Sequence, residues 1–315
     1  MIVVAGEALM DVYDAGATAT GVALDARMGG SPFNVAIGLT RLGRPAAFYG
    51  GVSKGFLGER LIAALAAEGV GLDAVVRLAA PTTLALVGLD ARGVPDYAFY
   101  GAGAADRSLT LDTLARVPAA RAFHFGSYSM VVEPTAATLV ALAERESRRA
   151  VISWDPNVRL NVEPDTAVWR ALFERMVPLC HLFKVSEEDL AHLWPGRDPD
   201  DCAAEWTARG VRLVVVTRGD GGAIAWSAAG RVERPARRVA VIDTVGAGDT
   251  FQAALLTALA ERDRLSVAAI GGSSLPELAE IVDFAGAAAA LTCTRRGADL
   301  QRRAELAAFL AADAG

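Results

Sequence analysis

From Arg121 to Val216 short apolar runs alternate with longer stretches of helical apolar spacing. The runs cover residues 122–125, 150–154, 181–184 and 211–216, and the helical stretches cover 133–145, 169–176, 186–193 and 202–208. Runs this short and this apolar are buried on both faces, and buried strands joined through helices pair in parallel by right-handed crossovers. The alternation confines the chain to the α/β class, a central, mostly parallel sheet with helices on both faces. Residues 1–5 and 46–52 add strands, 56–68 a helix, and helical patterns around 284–291 and over 303–312 close the unit.

Two segments depart from this pattern. Residues 82–90 and 96–100 alternate on either side of the turn Ala91-Arg-Gly-Val-Pro95, which is a hairpin signature. Residues 12–28 are rich in Ala, Gly and Thr and carry short alternating stretches. No linker, repeat or low-complexity segment divides the chain, so residues 1–315 are expected to form one domain. Hydrophobic residues make up 53% and charged residues 22%, an ordinary globular composition. A net charge of −6 gives no drive towards nucleic acid or anionic membrane, and no apolar run approaches a membrane span. The three cysteines, Cys180, Cys202 and Cys293, lack disulfide or zinc spacing, and Met1-Ile-Val-Val-Ala-Gly-Glu7 reads as a core strand without a basic leader. The expectation is a cytoplasmic protein with small-molecule partners, and neither nucleic acid nor membrane among them.

Chemistry concentrates at glycine-rich turns. Asp243-Thr-Val-Gly-Ala-Gly-Asp-Thr-Phe251 follows the apolar run 239–242 and opens into a helical stretch over 252–260. This reads as a buried strand handing over to a helix, whose N-terminal N–H groups and partial positive charge attract an anion. Gly246 and Gly248 allow a phosphate to approach closely, and Asp249 beside them is placed to take a proton from an attacking hydroxyl. Gly29-Gly-Ser-Pro-Phe-Asn34 opens a second helix that ends at Gly43, with Gly30 permitting close approach and Asn34 offering a donor and an acceptor. Asp11 follows the first strand, and Asp155-Pro-Asn-Val-Arg159 follows another, at the strand ends where α/β sheets gather ligands.

The two turns, in this order, resemble the two signatures of the ribokinase-like (PfkB) family of sugar and nucleoside kinases, and the chain is most similar to its bacterial fructokinases. The resemblance implies a ribokinase-like fold, with strands from about 12–28 and 82–100 forming a small β-sheet lid over the sugar. It implies that the Gly246-Ala247-Gly248 backbone forms the anion hole and that Asp249 is the catalytic base. The sugar then falls to Asp11, Gly30, Asn34 and Arg159, with Tyr97 and Phe99 on one face of a lid strand. Ala105-Asp106 matches a fructokinase pair and brings Arg107 as a sugar or lid contact. Asp155-Pro-Asn-Val-Arg159 also follows the fructokinase form, whereas 2-keto-3-deoxygluconate kinases differ on both sides of the Asn.

ATP is implied to lie along Val214–Gly222, touching Thr217, Arg218, Gly219 and Gly222, with Lys184 and Ser186 alongside. Lys184-Val-Ser-Glu-Glu-Asp189 stands at the family's "Asn-x-x-Glu" helix start, with Ser186 for the Asn and Asp189 for the Glu. The implied Mg²⁺ is held through water, and Glu187, Glu188 and Asp189 all stay open as its carboxylate. Asp243 and Gly297 match the segments that hold a monovalent cation, K⁺, and lid strands serve as a dimer surface in the family. The turn Gly50-Gly-Val-Ser-Lys-Gly-Phe-Leu-Gly58 departs from the family form at Ser53 and Gly55, so no role passes to Lys54. The expected activity is phosphorylation of a primary hydroxyl of fructose. The alternatives are 2-keto-3-deoxygluconate, ribose or a nucleoside as substrate, or a non-catalytic sugar sensor. A dinucleotide-dependent dehydrogenase is set aside because no GxGxxG follows the first strand.

Overall fold

The computed structural model describes residues 1–89 and 95–312. The first third of the chain runs β1 (Ile2–Ala5), β2 (Leu9–Ala17), β3 (Val22–Gly29), α1 (Ser31–Arg41), β4 (Ala46–Tyr49), β5 (Gly51–Ser53), α2 (Phe56–Ala67), β6 (Val76–Leu78), β7 (Leu84–Leu89) and β8 (Pro95–Tyr100). The middle runs β9 (Ala122–Gly126), α3 (Thr135–Glu146), β10 (Val151–Asp155), α4 (Thr166–Met176), β11 (Leu182–Ser186), α5 (Glu187–Leu193), α6 (Pro199–Ala208) and β12 (Leu213–Thr217). The last part holds β13 (Ala223–Ser227), β14 (Gly230–Arg234), α7 (Ala247–Glu261), α8 (Leu275–Cys293) and α9 (Arg303–Ala312).

Among the described residues, eight strands form the main sheet in the order β14-β13-β12-β11-β10-β9-β1-β4. It is parallel from β4 to β12, and β13 and β14 add an antiparallel edge. Its central strands β1, β9 and β10 are buried throughout, which is why they read as unbroken apolar runs. Successive residues still face opposite layers. Val4, Phe48 and Leu182 pack with α1, α7 and α8, while Val3, Phe123, Ile152 and Phe183 pack with α3, α4 and α6. A second sheet, β3-β2-β7-β8, is the small sheet expected from residues 12–28 and 82–100. The turn at 91–94 and the side chain of Tyr97 lie outside the described residues.

Four expectations are corrected. The stretch 46–52 is not one strand, because the chain leaves the main sheet after Tyr49 and pairs β5 with β6. Gly50 makes the step; a Cβ there would lie 2.4 Å from the Gly6 carbonyl oxygen. Residues 239–242 are not a buried strand: Val241 and Ile242 are 62% and 60% exposed. The N–H groups of Ile242 and Asp243 bond the Cys293 carbonyl at the end of α8, and among the described residues this apolar run has no strand partner. Asp11, expected at the end of the first strand, instead lies inside β2, paired with Arg27 on β3 and Ala85 on β7. Finally, α8 is far longer than the pattern around 284–291, because Ser274 caps it by accepting the Glu277 N–H, and its Ala-rich body packs against α7.

Candidate active site

The C-terminal ends of β1, β9, β10, β11 and β12 meet the N-termini of α1 and α7 around a cavity of about 920 Å³. The small sheet adds Leu9, Asp11, Tyr13 and Phe99 to its wall. Of the residues singled out in the sequence, Asp11, Gly30, Asn34, Phe99, Arg159, Lys184, Ser186, Asp189, Thr217, Arg218, Gly219, Gly246, Gly248 and Asp249 line the cavity. Five others do not. Ala247 turns its N–H to the Thr244 carbonyl. Gly222 closes the tight turn between β12 and β13. Asp243 and Gly297 bind each other beside the turn, the Gly297 N–H donating to Asp243 Oδ2 at 2.7 Å.

Arg107 is the fifth. Its guanidinium lies 5.0 Å from the ring centre of Tyr128 and 3.9 Å from Asp106, and it does not line the cavity. Asp106 is itself engaged, accepting from Thr83 at 2.6 Å and from the Tyr128 hydroxyl at 2.8 Å. Phe99 meets the Tyr128 ring edge-on at 5.9 Å, so it both packs the small sheet onto the body and faces the cavity.

Asp249 sits at the start of α7, and α1 reaches across to it. Ser31 Oγ donates to Asp249 Oδ1 at 2.6 Å, and Asn34 Nδ2 donates to Oδ2 at 2.8 Å. Burial pushes the Asp249 carboxyl above the ordinary range, while these two hydrogen bonds and the charges of Arg159 and Lys184 pull it back. A buried carboxylate aimed by two donors, next to a helix N-terminus, can accept a proton from a hydroxyl beside it. Ser31 was not singled out in the sequence. Its signal was the spacing Ser-x-x-Asn, which puts both side chains on one helix face.

The neighbouring groups carry their own shifts. Asp11 is pushed up to about 6 by burial, with Arg159 opposing and Asp249 adding to the rise. Arg159 folds back so that its guanidinium donates to the carbonyls of Asn157 and Val158, at 3.3 and 2.9 Å. Asp189 is raised to about 6 by burial and by the Asp155 charge. Its Oδ1 accepts the Val158 N–H at 3.1 Å, while its own N–H bonds Ser186 Oγ at 3.0 Å, so Ser186 caps α5. Lys184 and Asp155 form a buried pair at 2.6 Å. Arg218 is anchored at 2.7 Å by Glu233.

Glu7, Ser127 and Tyr128 line the cavity too, and none was singled out for a role. Glu7 is 1% exposed. Burial lifts its carboxyl from 4.5 to about 7, against hydrogen bonds from Ser129 and Ser127. The folded state therefore keeps a proton that the unfolded chain has released between those values, and stability falls as pH rises from 4.5 to about 7. Glu7→Gln stays neutral throughout. From pH 4.5 to pH 8 its stability should shift in its favour, relative to wild type, by about 3 kcal/mol. Thermal unfolding over that range measures the difference, and a pH-independent gap would mean that Glu7 titrates as in the unfolded chain.

The chain matches the pfkB family of carbohydrate kinases over residues 1–304. It is 38% identical over 260 residues to a fructokinase of Rhizobium leguminosarum bv. trifolii, covering 82% of this chain and 79% of the relative. The structure of a fructokinase from Xylella fastidiosa with bound ATP superposes with a TM-score of 0.90 at 27% identity, covering 100% of this chain and 99% of that one. A double mutant of the fructokinase from Vibrio cholerae O395, with fructose, ADP and potassium ion bound, gives 0.83 at 26% identity over 98% and 97% of the two chains. With an acidic residue held between two helix N-termini and a family match that runs nearly end to end, the chain belongs to the pfkB family of carbohydrate kinases.

Proposed function

We propose that the protein is an ATP-dependent fructokinase in which Asp249 is the general base. The observation that carries this is the Asp249 carboxylate, buried, fixed by Ser31 and Asn34, and adjoining the Gly246–Gly248 turn in one cavity. Asp249 takes the proton of a primary hydroxyl as its oxygen bonds to the γ-phosphorus. The bond from that phosphorus to the β,γ-bridging oxygen breaks, and ADP leaves with the electron pair. The N–H groups of Gly246 and Gly248 serve the developing negative charge, without that of Ala247, which bonds the Thr244 carbonyl. Asp11, Gly30 and Arg159 bind the sugar, with Phe99 from the small sheet, which acts as a lid within one kinase domain. Asn34 serves the sugar indirectly by orienting the base. ATP extends along Thr217–Gly219, with Ser186 and Arg218 flanking it.

Among the described residues no cluster of three or more His, Cys, Asp or Glu is placed to hold a metal directly. This suits a magnesium ion carried by the nucleotide phosphates, with Asp189, Glu187 and Glu188 reaching it through water. Bound there, Mg²⁺ neutralises phosphate charge. Asp243, clamped to the 294–299 segment by Gly297, is the residue we place beside a potassium ion. The exposed Val22, Leu24, Met28 and Tyr100 give the small sheet an apolar outer surface, which we assign to a homodimer contact. Three free cysteines accord with a cytoplasmic setting.

The test is ATP-dependent phosphorylation of fructose, glucose, ribose, 2-keto-3-deoxygluconate and adenosine, with Mg²⁺ and with or without K⁺. Fructose should show the highest kcat/KM, and K⁺ should raise the rate. Preference for another member of the panel would keep the kinase and replace the sugar. ATP binding without turnover of any of them would favour a sensor.

A further inference from the structure

Lys184 occupies a position where the fold calls for an apolar side chain. On β11 the alternation places Phe183 and Val185 in the layer packed by α3, α4 and α6, and Leu182 in the layer packed by α7. Lys184 shares the side of Leu182. Lys184 and its partner Asp155 have side chains only 4% and 3% exposed. A pair this buried gives up hydration that its mutual attraction does not fully return, so a hydrophobic pair of similar size would hold the sheet as well or better. The pair is also incomplete: Asp155 Oδ1 is buried and has no hydrogen-bond partner among the described residues. Packing alone gives no reason for the two charges.

Their position does. Lys184 lines the cavity, and its Nζ lies 3.4 Å from the point where a Cβ on Gly248 would sit. With no side chain at Gly248, the ammonium stands close to the helix N-terminus, with no side chain of that residue between it and an anion held there. The same charge is felt by Asp249 and by Asp189.

We propose that Lys184 is a catalytic residue whose ammonium, held by Asp155 against the Gly246–Gly248 turn, stabilises the transferring phosphoryl group; Asp155 is its positioning residue. The inference rests on the reading of the cavity as a phosphoryl-transfer site. A cation fixed before the reaction needs no reorganisation when charge moves onto the phosphoryl oxygens, and its effect is greatest in a buried setting. The lysine takes no proton and forms no bond. The proton goes to Asp249 and the leaving group is ADP.

The test compares wild type with Lys184→Met, Asp155→Asn and the double variant, which carries no buried charge at this position. Lys184→Met should lower kcat by roughly a hundred- to a thousandfold while KM for the sugar changes by no more than about threefold. Either single variant leaves one charge unpaired and is prone to misfolding, so the double variant carries the decision. It should unfold at or above the wild-type temperature and keep the low kcat. A double variant that recovers turnover to within about tenfold of wild type would reduce the pair to a structural ion pair and overturn the proposal.

A second readout is independent of the sugar. Calorimetry should show ADP binding equally to wild type and double variant, while ADP with aluminium fluoride binds the double variant at least about a hundredfold more weakly. Equal binding of the fluoride complex overturns the role of Lys184. A wild type that phosphorylates none of the sugars yet shows this difference overturns the choice of substrate and leaves the lysine in place.

Discussion

Asp249→Asn should lower kcat by roughly a hundred- to ten-thousandfold while leaving KM for the sugar and the affinity for ADP close to wild type. The amide has the shape of the carboxylate. The Ser31 hydroxyl can turn to accept, and the amide can present its oxygen to Asn34, so neither partner need be stranded. What is lost is the capacity to take a proton. The pH profile gives a second handle. Burial raises the Asp249 carboxyl, and the hydrogen bonds from Ser31 and Asn34 lower it. The base must be ionised to act, so kcat/KM should fall on the acid side at a pH above the ordinary carboxylate range. Ser31→Ala removes a hydrogen bond that favours the charged form, so it should move that limb to still higher pH. Turnover of Asp249→Asn near wild type would sink the assignment, and a Ser31→Ala limb shifted towards acid would show that the hydroxyl does not steady the charge.

The parts of this site that could be read in the sequence are those whose chemistry lies within a few covalent neighbours. Gly246, Gly248 and Asp249 share one turn, and Gly30 and Asn34 share another; both open a helix. The strands from β9 to β12 could be read because burial on both faces leaves unbroken apolar runs. Contacts between distant segments were not legible in this way. Asn34 could be read as facing a ligand, and it lines the cavity, but its hydrogen bond to Asp249 could not, because only the packing of α1 beside α7 brings the two together. Arg107 has the charge for a ligand, but its place beside Tyr128 and Asp106, off the cavity lining, could not be read from its neighbours in the chain. The run 239–242 shows that apolar composition makes a strand only where a partner edge exists. Glu7 passed unnoticed because an acidic residue after a strand has no signature until Ser127 and Ser129 close over it.

Gly246→Ala should cost both stability and turnover, and the neighbouring Gly248→Ala should separate the two. Gly246 caps α7 in the left-handed region, with φ 79°. A methyl group there would lie 2.7 Å from Ala298 Cβ and 2.9 Å from its Cα. The second of these is backbone, and the 294–299 segment is itself tied to the turn through Gly297 and Asp243, so it cannot swing clear alone. The combined cost of the dihedral and the overlap is about 2–4 kcal/mol. The accommodating shift moves the N–H groups of the turn, and a displacement of about 1 Å at a reacting centre costs roughly a hundredfold in rate. Gly248 lies inside the first turn of α7, and a methyl there meets only Lys184 Nζ, at 3.4 Å. Gly248→Ala should therefore unfold near the wild-type temperature, while kcat falls because the methyl enters the space between the lysine and the turn. Unfolding temperature and kcat, measured on both variants, decide this. A Gly248→Ala enzyme as fast as wild type would mean that the phosphoryl group does not pass through that space, and a Gly246→Ala enzyme as stable as wild type would mean that the 294–299 segment yields at no cost.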